Sequence, residues 1–144
     1  MKYPLLLLLI GTYLVAFVVN FMPAIKHPDS HATTLNMLMT AVFLIVLLLS
    51  MRKKNKLLSL FLIGGAVSGI IVFVIKTFES HLIGNGILDI VASIQYPFYL
   101  IFTTPLFGAN IMFNLNYATF SLLMSLVYLI LFIWTHTKQT LVMS

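Results

Sequence analysis

No cysteine occurs in the 144 residues, which excludes disulfides, thiolate metal sites and thiol redox chemistry. Acidic residues are nearly as scarce, with Asp29, Glu79 and Asp89 making up the whole set. So few carboxylates leave general acid–base and metal-dependent catalysis few parts to use. A zinc-protease helix motif, a nucleophile elbow and a phosphate-binding glycine loop are all missing. The chain is therefore expected to be no enzyme and to carry no cofactor. Charged residues of both signs amount to only 8%, against 61% apolar, and that ratio gives too little polar cover for a water-soluble globule. The expected solvent is a lipid bilayer.

What the chain does have is long apolar runs, at 4–22, 31–51, 57–78, 87–107 and 117–135. Each approaches the roughly 20 helical residues that span a hydrocarbon core. Pro4 suits a first helical turn and Pro23 an end. The polar stretch 24–30 supplies Asp29 or Ser30 as the cap of the second helix. Met1, Lys2 and Tyr3 run straight into the first apolar stretch in the manner of a secretory signal, but no small-x-small pair marks a cleavage point, so the segment is expected to be retained. The expected fold is an all-α integral membrane protein, one domain over 1–144 and a bundle of five transmembrane helices. The alternative is four helices plus a re-entrant segment, because Asp89, Gln95, Pro97 and Pro105 interrupt 87–107. Pro97 should kink that segment, since its ring removes the partner of the Ser93 carbonyl.

Four of the eight basic residues, Arg52, Lys53, Lys54 and Lys56, share one short loop. By the positive-inside rule this loop and the N-terminus face the cytoplasm of a plasma membrane. With five spans, Lys2 joins those four for five basic residues inside, against Lys26, Lys76 and Lys138 outside; with four spans Lys138 moves in and the ratio becomes six to two. The net charge of +5 and pI near 9.6 are thereby explained by topology and anionic headgroups, with no call for nucleic acid.

Two pairs of small residues mark helix-packing faces: Gly65 with Gly69, and Ser121 with Ser125, each four apart. Lys76 and Asp89 flank a short connection and are expected at similar depth, as a neutralising pair or as part of an ion path. Gln95 is the deepest of the uncharged polar candidates, which also include Asn20, Asn36, Asn110, Asn114 and Asn116. His27, His31, His81 and His136 would all face outward in the five-span arrangement, which raises metal or haem binding as a third reading, although Pro28 breaks the His27–His31 spacing. The leading expectation is a small bacterial-type plasma-membrane protein that associates with a membrane partner or with itself, in an accessory, regulatory or toxin-immunity role. The alternative is a small oligomeric transporter or channel that uses Asp89, Lys76 and Gln95.

Overall fold

The computed structural model describes residues 4–26, 33–52, 55–82 and 86–141. Among them no strand forms. The helices are α1 (Pro4–Lys26), α2 (Thr34–Ser50), α3 (Lys56–Leu82), α4 (Gly86–Ser93), α5 (Gln95–Phe98), a π-helical turn (Tyr99–Thr103), a 3-10 segment (Thr104–Ala109), α6 (Asn110–Phe113) and α7 (Tyr117–Leu141). Three of them, α1, α3 and α7, are long and apolar enough to cross a membrane, and α2 is a shorter apolar helix. The all-α class and the membrane character follow the composition. A five-span bundle is not confirmed: the stretch expected as one helix over 87–107 changes pitch repeatedly.

The first helix does not stop at Pro23 but runs through it to Lys26. A proline inside a helix strips the carbonyl four residues earlier of its N–H partner, and here that carbonyl belongs to Val19. The Asn36 amide of α2 donates to the Val19 carbonyl oxygen at 2.9 Å, which compensates for the missing bond. Asn36 also accepts from the Thr33 backbone N–H at 2.9 Å. The second helix therefore starts at Thr34 with Thr33 as its N-cap, later than the Asp29 or Ser30 that its sequence suggested; both of those lie outside the described residues. Asn36 fixes the start of α2 and clamps it to α1.

α3 and α7 run antiparallel in tight contact. A Cβ on Gly69 would lie 2.2 Å from the Ser121 carbonyl oxygen and 2.6 Å from Ser125 Cβ, while one on Gly65 would lie 2.5 Å from the Tyr128 ring. Ser125 Oγ donates to the Ala66 carbonyl across the same seam. At the end of this seam Lys76 Nζ stands 5.4 Å from the Tyr117 ring centroid, so α7 begins at the end where α3 finishes. The segment between them, 86–113, consequently enters and leaves the bundle at one end. Its deepest contacts are made by Phe102, whose ring lies against Phe61 in the second turn of α3 and Tyr128 near the middle of α7.

This broken segment joins two helix pairs. Its α5 and π-helical part packs on α3, and its 3-10 part packs on α1 and α2; direct packing is extensive within α1/α2 and within α3/α7, and the two pairs meet chiefly through the segment. Thr103, Thr104, Pro105, Leu106, Phe107 and Gly108 are all buried. Gly108 is required by close approach, since a Cβ there would lie 2.0 Å from the Asn36 carbonyl oxygen. Gly11, by contrast, has nothing within 4 Å of the corresponding position.

Gly69→Ala and Gly108→Ala should each lower unfolding stability by about 1–3 kcal/mol, because backbone atoms must move apart. Gly11→Ala should raise it by about 0.5–1 kcal/mol through helix propensity alone. Equilibrium unfolding in mixed micelles measures all three, and an equal effect at Gly69 and Gly11 would contradict the packing described.

Candidate functional site

Buried polarity gathers around the broken segment. Pro105 lacks an N–H, so the Ile101 carbonyl four residues back loses its helical partner. The Tyr13 hydroxyl of α1 donates to it at 2.9 Å. The adjacent Phe102 carbonyl receives the Tyr128 hydroxyl of α7 at 2.8 Å. Between these points the Thr104 N–H reaches back five residues to the Tyr99 carbonyl, which is the hydrogen bond that defines a π turn. Two tyrosines from opposite helix pairs thus hold neighbouring carbonyls at the deepest point of the segment.

Further along, the Pro105 carbonyl accepts two bonds, from Asn20 Nδ2 at 3.1 Å and Thr40 Oγ1 at 3.1 Å, and Asn20 Nδ2 also donates to Thr40 Oγ1 at 3.0 Å. Both side chains are buried. Asn20 Oδ1 faces no hydrogen-bond partner among the described residues. At the outgoing end Asn110 exchanges two bonds with Leu115, at 2.8 and 3.0 Å, around Asn114, whose φ of 49° puts it in the left-handed region where Asn is tolerated. Asn116 Oδ1 then receives the Thr119 N–H at 2.9 Å and caps α7.

The residues singled out from the sequence are not brought together. Lys76 is paired with Glu79, one turn along its own helix, and not with Asp89. The Asp89 side chain is exposed, and its backbone carbonyl accepts from Ser93 Oγ at 2.8 Å. Gln95 is fully buried at 0% exposure and receives the Tyr117 hydroxyl at 3.4 Å, while its Nε2 has no partner among the described residues. The helical ladder lapses at Ile94, whose backbone stays helical at φ −62° and ψ −27°. Pro97 therefore acts as an interruption one residue before α5 rather than as a sharp kink at its own position. Gly69 packs on Ser121 and Ser125, and Gly65 on the Tyr128 ring, all inside this chain.

Arg52 and Lys56 are exposed at the opposite end from Lys76, whereas Lys53 and Lys54 lie outside the described residues. His27 and His31 also lie outside them, as does the side chain of His81. His136 stacks against Phe132 with centroids 4.4 Å apart, in the part of α7 that runs away from the Lys76 end. The expectation that all four histidines share one face fails for His136. Among the described residues no group of three His, Cys, Asp or Glu side chains is placed to hold a metal.

One cavity of about 440 Å³ lies beneath the deepest point of the segment, lined by α1 from Leu6 to Leu14, by Phe43, by Leu57, Leu58 and Phe61, and by Ile101. Sequence reading missed it, as it missed the Asn20–Thr40–Pro105 cluster. The missing N–H of Pro105 was the available signal for the Tyr13 bond, since the stripped Ile101 carbonyl deep in a bundle demands a donor from elsewhere; for the cluster on the Pro105 carbonyl the only cue was Asn20 within an apolar run. Comparison with known protein families, curated proteins and solved structures gives no match to this chain, so its own geometry carries the functional reading.

Tyr128→Phe should destabilise the protein by about 1–2 kcal/mol, and Tyr13→Phe by a similar or smaller amount, because each leaves a backbone carbonyl unpartnered. Tyr96→Phe, at an exposed position, should change stability by less than about 0.5 kcal/mol. Unfolding monitored by tryptophan fluorescence of Trp134 distinguishes these outcomes.

Proposed function

We propose that the chain is a plasma-membrane protein of four crossings, α1, α2, α3 and α7, with 86–113 as a re-entrant segment, and that it works by associating with another membrane-spanning helix through α2. The antiparallel run of α7 from the Lys76 end supports four crossings over five. Under this topology both termini and the basic loop 52–56 face the cytoplasm, and the six-to-two distribution of basic residues agrees with it. The Asn114–Asn116 turn then faces outward.

The observation that carries the association reading is the outward face of α2. Leu35, Leu38, Val42, Ile45 and Leu49 are exposed and repeat at alternating steps of three and four residues, the spacing by which one helix packs along another. The helix is also short, with 17 residues and hence a length of about 26 Å, below the roughly 30 Å hydrocarbon thickness. A helix too short for its bilayer is relieved by association with a neighbour. The small-residue faces that first suggested a partner are already used up between α3 and α7. The partner is a second copy or another membrane protein in an accessory, regulatory or immunity role.

A second reading keeps a transporter or channel, and it draws on the two buried orphan atoms, Asn20 Oδ1 and Gln95 Nε2, beside a helix broken at membrane depth. Lys76 and Asp89 drop out of that path. Gln95→Leu should abolish solute or ion flux in liposomes under this reading and leave the association reading untouched.

Because the chain has no cysteine, single cysteines report cleanly. Asn116→Cys should label from outside the cell and Asn55→Cys only from inside, with a reporter fused after Ser144 on the inner side. A reporter found outside would restore five spans. Leu38→Cys and Ile45→Cys should crosslink in the native membrane, while Leu60→Cys on the exposed face of α3 should not; no adduct at either α2 position would sink the association reading.

A further inference from the structure

The cavity beneath the broken segment has walls of carbon. Its roof is Ile101 and Tyr13, and their polar atoms are already bonded to each other, so nothing polar is offered at the inner end. Along α1 it extends from Leu6 to Leu14, eight residue steps or about 12 Å. Its volume of about 440 Å³ falls in the range of small-ligand sites. It is half-open, and its lower rim is the first turn of α3, where Leu57 and Leu58 follow Lys56.

Among the described residues, the charges at that end of the bundle have a single sign. Arg52, just past the end of α2, and Lys56, the chain neighbour of the lining residue Leu57, are exposed at this end, whereas Glu79 and Asp89, the acids among the described residues, belong to the opposite end. A ligand that satisfies both parts is amphiphilic, with an anionic head against Arg52 and Lys56 and an unbranched apolar tail without polar groups in its last 12 Å or so. We infer that the cavity holds one acyl chain of an anionic glycerophospholipid from the surrounding leaflet, with its phosphate against Arg52 and Lys56. The site depends on immersion in a bilayer and is independent of whatever covers α2. Occupancy would fill the wedge between α1 and α3 that the broken segment leaves open below Ile101, so lipid becomes part of the contact between the two helix pairs.

The full-length protein, reconstituted with phosphatidylglycerol or phosphatidylcholine carrying the same acyl chain with a terminal photoactivatable diazirine, tests this by peptide mapping of the label. Phosphatidylglycerol should label 6–14 and 57–61 several-fold more than phosphatidylcholine does. Val67 and Val74, on the exposed face of α3, should label weakly and equally with both. Ile10→Trp, which fills the cavity, should remove the preferential labelling of 57–61, and the pair Arg52→Gln and Lys56→Gln should equalise the two lipids. Equal labelling by both lipids in the unsubstituted protein, or labelling of Val67 and Val74 as strong as that of 6–14, would overturn the assignment to this cavity without reference to any variant's folding. Preferential labelling that persists in folded Ile10→Trp protein would do the same.

Discussion

A backbone carbonyl that has lost its helical N–H and lies away from water needs a donor from another part of the chain. Prolines create this demand at two points. Pro23 frees the Val19 carbonyl, which takes the Asn36 amide; Pro105 frees the Ile101 carbonyl, which takes the Tyr13 hydroxyl. In hydrocarbon an unsatisfied group costs several kcal/mol, so these bonds are constraints on which helices must adjoin. The first locks α1 to α2, and the second locks the broken segment to α1. With Tyr128 on the Phe102 carbonyl and Asn20 and Thr40 on the Pro105 carbonyl, α1, α2 and α7 each contribute a donor to the segment.

This arrangement explains why irregular backbone is tolerated in the interior. The π turn and the 3-10 segment have few carbonyls in the regular α pattern, yet residues 103–108 are buried against protein on both sides. Packing adds to the hydrogen bonds: Phe61, Phe102 and Tyr128 form mutual edge-on and tilted contacts with centroids 5.4 to 6.4 Å apart, and Tyr13 extends the cluster to Phe43 and Phe61. Aromatic pairs of this kind contribute about 0.5–1.5 kcal/mol each beyond their buried area. The wedge between the two helix pairs is therefore both bonded and packed.

Much of this was legible in the sequence, and the limits have physical causes. Apolar runs locate α1, α2, α3 and α7 to within a few residues, because hydrocarbon admits few polar atoms and the signal accumulates over many positions. The Gly65–Gly69 and Ser121–Ser125 faces were legible as packing surfaces, but spacing alone does not say whether the opposing helix belongs to the same chain. The broken segment resisted, since Pro105 announces that a carbonyl is stripped without naming the residue that replaces the bond. Lys76 illustrates the opposite failure. Its distance from Asp89 along the chain invited a pair, yet Glu79 lay one turn away on the same helix and closed first at no cost in loop order.

The union of the two helix pairs through 86–113 also fixes an order of events during synthesis. When α1 and α2 have been made, Asn20 and Thr40 can bond to each other, but the Pro105 carbonyl that they serve has not yet been made. Asn36 can already reach Val19, so the first pair is able to mature alone. The second pair is completed only when α7 delivers Tyr128 and the Ser121–Ser125 face to α3. The segment between them therefore waits, packed on one side and unsupported on the other, until the last helix arrives.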